Sequence, residues 1–146
     1  MKHLTLALLV SLFPAFAFPA PSLDQVRAER NLEKRSDQAL AYAEKVLKDA
    51  RKAYDQGDME TVAARLAEVR EAVDLSLQSL EETGKEAHKR PKHFKRAEIK
   101  TRQLLKQLDA FDRQMSFADR DLLNPVRTHL REVNSDLLLS IMGTKQ

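Results

Sequence analysis

Few side chains in this sequence have both the type and the spacing that chemistry needs. There is no cysteine among the 146 residues. Thiolate metal sites, a Cys nucleophile, covalent c-type haem and disulfides are therefore excluded by composition. His88 and His93 are five residues apart, so they do not share a helix face as two ligands would. Both sit among lysines and arginines, which disfavours a bound cation. His129 flanks an apolar stripe and is the residue that a haem or metal carrier would use; it reads first as a boundary histidine. The Glu-x-x-His pairs of bundle di-metal centres do not occur. Carboxylates are many, but pairs such as Glu44–Lys48 and Arg65–Glu68 have ordinary helix-surface spacing. With no Gly-rich phosphate loop and no Ser/His/Asp constellation, the expectation is a non-enzyme with no cofactor.

The local feature with functional content is a basic run. Eight Lys/Arg fall within 85–102, against Glu86 and Glu98. Lys85, Lys89, Arg90, Lys92, Lys95 and Arg96 crowd the start of a predicted helix, where they could hold phosphate, a polyanionic glycan or an anionic lipid. Phe94 is the one aromatic residue interleaved with them, which argues against single-stranded nucleic acid. The competing reading is internal. Residues 58–84 carry seven acidic and two basic side chains, so the basic run could simply face that preceding helix.

A second candidate surface is apolar. Leu75, Ile99 and Leu139 lie roughly 140–170° from the centres of their helical stripes at 100° per residue. One exposed leucine is unremarkable. Three on three helices predict a surface for a protein partner or for self-association.

These residues must be positioned by helices. Ala, Leu, Glu, Lys, Arg and Gln dominate, with three Gly and five Pro, and β-branched and aromatic residues are few. Ser22 with Gln25 forms a capping box, and a first helix is predicted over about 23–56. Its Ala39, Ala43, Val46, Leu47, Ala50 and Ala53 make an apolar stripe whose alanines permit close approach. Gly57 ends it and Asp58 caps a second helix with Val62, Leu66, Val69, Val73 and Leu80 inward, stopped by Gly84. Pro91 opens a third, with Phe94, Ala97, Thr101, Leu104, Leu108, Phe111 and Met115 at spacings of three and four. Ser116 with Asp119 predicts the start of a fourth. Pro125 must kink or break it, and Asn124-Pro125 as a fresh helix start is the preferred form. The expected fold is all-α: one antiparallel up-down-up-down four-helix bundle over 23–142, with a loose end at 143–146. Two long helical hairpins, open or joined across a dimer, are the alternative. Ala53-Tyr54-Asp55-Gln56 resembles Ala110-Phe111-Asp112-Arg113, which hints at a duplicated hairpin.

The chain opens as an export signal does. Lys2 and His3 precede a largely apolar stretch over 4–13, too short to span a bilayer. Ala15-Phe16-Ala17 supplies a small-x-small cleavage pattern, predicting a signal peptide over 1–17 cut after Ala17 and an extended lead-in over 18–22. The mature chain is then expected in a periplasm or secreted, with no membrane span. Its formal net charge, +3 for the full sequence, is close to balanced.

The block Lys92-His93-Phe94-Lys95-Arg96-Ala97-Glu98-Ile99-Lys100-Thr101-Arg102-Gln103-Leu104-Leu105 resembles one seen in exported bacterial proteins with no assigned activity. The similarity continues through Phe117-Ala118-Asp119-Arg120 to Leu137-Leu138. It implies export and a helical fold, and it carries no catalytic residues. The functional expectation is an exported, non-enzymatic interaction or structural protein, with an envelope polyanion binder as the alternative and a haem or metal carrier as a distant third.

Overall fold

The structure, a computed structural model, describes residues 21–144. The expected signal peptide, its cleavage point at Ala17 and the lead-in as far as Ala20 lie outside the described residues, as do the last two residues. Among the described residues all regular structure is helical. Short α1 (Leu23–Arg27) is followed by α2 (Leu32–Asp55), α3 (Met59–Glu82), α4 (Lys92–Asp112), a 3-10 turn (Arg120–Leu123) and α5 (Asn124–Met142). The four long helices gather into a bundle around one apolar core. Leu47, Leu80, Leu108, Phe111, Leu123 and Leu130 are fully buried there. Each such side chain contributes about 1.5–3 kcal/mol on burial. No described helix is long and apolar enough to cross a membrane.

The rungs between helices fix their directions. Ser36 and Ser76 share a buried hydrogen bond of 2.7 Å, Arg35 Nε donates to Ser79 Oγ at 2.8 Å, and Tyr42 Oη donates to Glu68 Oε2 at 2.8 Å. Numbers rising on α2 meet numbers falling on α3, so this hairpin is antiparallel. Glu98–Asn134 and Asp112–Arg127 show the same for α4 and α5. Between hairpins the order is different. Asp37–Arg96, Glu44–Gln107 and Arg51–Gln114 advance together, so α4 runs parallel to α2. His129 and Asp74 likewise bring α5 beside α3. The two hairpins therefore lie side by side with like-directed helices adjacent. Tyr54 and Phe111, the aromatic pair of the matched tetrapeptides, meet edge to face at 5.8 Å.

Three expectations change. The first helix is not continuous over 23–56. Asn31 accepts the Lys34 N–H at 2.9 Å as an N-cap, and Glu29 accepts the Asn31 N–H at 3.0 Å. An Asx cap supplied inside the stretch stops one helix and starts another. The fourth helix does not open at Ser116. The Ser116 hydroxyl donates to the Asp119 carboxylate at 2.6 Å, which closes a turn, and α5 begins at Asn124 with Pro125 in its first turn. There the missing N–H costs nothing. The C-terminal end is tied down as far as Thr144, whose N–H donates to the Leu139 carbonyl at 3.0 Å. Gly143 permits this with φ of 74°, a left-handed cap.

Leu75 also departs from expectation. It is 5% exposed and belongs to the core. Because the chain breaks before Asn31, α1 folds back and buries Leu23 and Val26. Arg27 then reaches Glu71 at 3.7 Å, one helical turn before Leu75. Leu75 adjoins Ser76 and lies one turn before Ser79, on the stretch of α3 that Ser36 and Arg35 of α2 contact.

Candidate functional site

The basic end of the bundle gathers the 85–90 connection, the first turns of α4, the start of α2 and the end of α5. Its cations divide into two sets. Lys85 binds Glu33, Lys89 binds Glu86 at 2.5 Å, and Arg96 binds Asp37 at 2.5 Å. His93 adds a second contact to Glu33 at 3.3 Å. The hydrogen bond from Lys85 holds the Glu33 carboxyl below its ordinary range, with help from the positive field of His93, Lys85 and Lys92. Lys89 does the same for Glu86. These partners mostly belong to α2, not to the acidic α3. That follows from the parallel packing of α4 on α2.

Arg90, Lys92 and Lys95 form the second set. Among the described residues, no carboxylate lies within ion-pair distance of any of them. They surround the first turn of α4, whose preceding residue, Pro91, offers no side-chain cap. The N–H groups of that turn have no intrahelical partner, and they add a partial positive charge to the three cations. A shallow cavity of about 450 Å³ opens here, lined by Glu33, Lys85, Arg90, Pro91, Lys92, His93 and Lys95. The arrangement can hold an anion by charge and by backbone N–H groups.

The remaining candidates do not join this site. Ile99 is 44% exposed and lies on the outward face of α4 beside Lys95 and Arg102; Leu139 is 38% exposed near the end of α5. With Leu75 buried, the three do not compose one surface. His129 faces Asp74, with Nε2 and Oδ1 2.6 Å apart. The two atoms approach without the alignment of a hydrogen bond. Among the described residues no three His, Asp or Glu side chains are grouped to hold a metal ion.

Sequence reasoning passed over Glu33 and Asp37, which select the cations that stay free. Their signal was their position in the first turns after Asn31, visible once Asn31 is read as a cap. It also passed over Leu138 and Met142, exposed by 42% and 63% near the end of α5. Comparison of the chain with protein families, with curated proteins and with solved structures yields no match.

Proposed function

We propose that this chain is an exported, non-enzymatic helical module that binds an anionic component of the cell envelope through its basic end. The supporting observation is the set Arg90, Lys92 and Lys95 around the uncapped first turn of α4; among the described residues none of the three has a carboxylate at ion-pair distance, although Glu33 lies close enough to feel the charge of Lys92. An arrangement serving internal stability alone would pair these cations, as Lys85, Lys89 and Arg96 are paired. Export rests on the leader pattern over 1–17 and its expected cut after Ala17. The helical bundle supplies the rigid support, since helix-borne cations keep their spacing when the ligand is absent.

The test uses heparin as a soluble polyanion. Wild type should bind it at low salt and release it as ionic strength rises, because exposed charges are screened beyond about 10 Å at 0.1 M salt. Triple reversal of Arg90, Lys92 and Lys95 to Glu should abolish binding and leave the helical circular dichroism unchanged. Undiminished binding by that variant would remove the reading. Reversal of Lys89 alone should matter less, because Glu86 already occupies it.

A further inference from the structure

We infer that the ligand at the basic end is the surface of an anionic lipid bilayer, and that the last two turns of α5 enter its interface. This rests on the anion-binding reading above and narrows it. Leu138, Leu139 and Met142 are 42%, 38% and 63% exposed, and at 100° per residue they fall within an arc of roughly 100°. Water-facing leucines and a methionine clustered on one helix end are a patch that wants cover.

Their position supplies the partner. Asn134 Nδ2 donates to the Glu98 carbonyl at 3.1 Å and to its carboxylate at 3.3 Å, which fixes the register of α5 on α4. Leu138 lies one turn beyond Asn134. Lys95 lies one turn before Glu98, toward the same end of the antiparallel pair. At that end, a Cβ added at Gly143 would lie 3.5 Å from the His88 side chain, so the end of α5 sits beside the 85–90 connection. The apolar patch therefore lies at the same end of the bundle as Arg90, Lys92 and Lys95. A soluble polyanion would use the cations and leave the leucines in water. A second copy of the chain would bring like charges together. An anionic bilayer meets both halves: headgroups take the cations, and the acyl boundary takes the apolar side chains.

The experiment is co-sedimentation of the protein as its cells produce it, with vesicles of phosphatidylglycerol in phosphatidylcholine and of phosphatidylcholine alone, beside a heparin column. Wild type should sediment with the anionic vesicles only. The variant Leu138→Ser/Leu139→Ser/Met142→Ser should lose about tenfold or more in vesicle partitioning, since apolar burial and charge act together at an interface. It should still bind heparin as wild type does. If it partitions like wild type, the lipid inference is overturned. Wild type that binds heparin but no vesicles overturns it too and leaves the broader reading standing; wild type that binds neither overturns both. A dimer abolished by the Ser variant would give the face to a second copy and overturn the inference. Because the chain has no cysteine, Leu139→Cys can carry a single polarity-sensitive dye. Its emission should shift to the blue on anionic vesicles, and an unchanged spectrum overturns the inference independently of the Ser variant.

Discussion

The Tyr54 hydroxyl donates to Asp119 Oδ2 at 3.0 Å and accepts the backbone N–H of Ser116 at 2.8 Å. One phenol at the end of α2 thus holds the turn that joins the second hairpin together. Its ring rests edge-on against Phe111, so the apolar and polar ends of the side chain work on the same joint.

Tyr54→Phe keeps the ring and removes the hydroxyl. The Ser116 N–H and the Asp119 carboxylate each lose a partner. A loss of about 1–2 kcal/mol is expected, read as a lower urea midpoint with an unchanged slope. Hydrogen exchange at the Ser116 amide should quicken more than exchange within α3.

Leu75 and Ile99 make a second, paired prediction. Leu75→Ala should cost about 2–5 kcal/mol, the range for emptying a packed site. Leu75→Glu should cost more and reduce the folded fraction, because it buries an unpaired charge. Ile99→Glu, on an exposed surface, should stay within about 0.5 kcal/mol of wild type. Thermal melts of the three variants check this. Equal effects at 75 and 99 would mean that Leu75 is not part of the packed core.

The alanines of α2 carry a third. Ala39, Ala43 and Ala50 are fully buried, facing a helix whose inner positions include Ala72, Ser76 and Ser79. Small side chains on both partners let the helices approach closely. Ala43→Leu should cost about 1–3 kcal/mol by overpacking, measured by chemical denaturation. The same change at solvent-facing Ala41 should cost far less.

Acid stability gives the fourth. Hydrogen bonds from Lys34, Lys85 and Lys89 hold Glu29, Glu33 and Glu86 below their ordinary value of 4.5, and Thr61 does so for Asp58. A carboxyl with a depressed value in the fold contributes its stability above about pH 4.5 and loses it as pH falls through the folded value. The melting temperature should therefore decline below that pH. In Glu33→Gln, the acid limb should be shallower and the neutral-pH melting temperature slightly lower. A limb identical to wild type would mean that the Lys85 contact adds nothing.

The sequence by itself determined the helices and most of their ends. The three-and-four spacing of apolar residues fixes a buried face whatever the neighbours are, and Gly57, Gly84 and Gly143 adopt the positive φ that stops a helix. Pro125 lies in the first turn of α5 because its ring tolerates little else. The tertiary structure decided which charges meet. An ion pair depends on which helices are adjacent, and periodicity is silent on that. Only the parallel packing of α4 beside α2 gives Lys85 and Arg96 to Glu33 and Asp37, and so leaves Arg90, Lys92 and Lys95 free. Leu75 was misread for the same kind of reason. Its helix could say which way it points, but the packing of α2 against α3 decided what it points at.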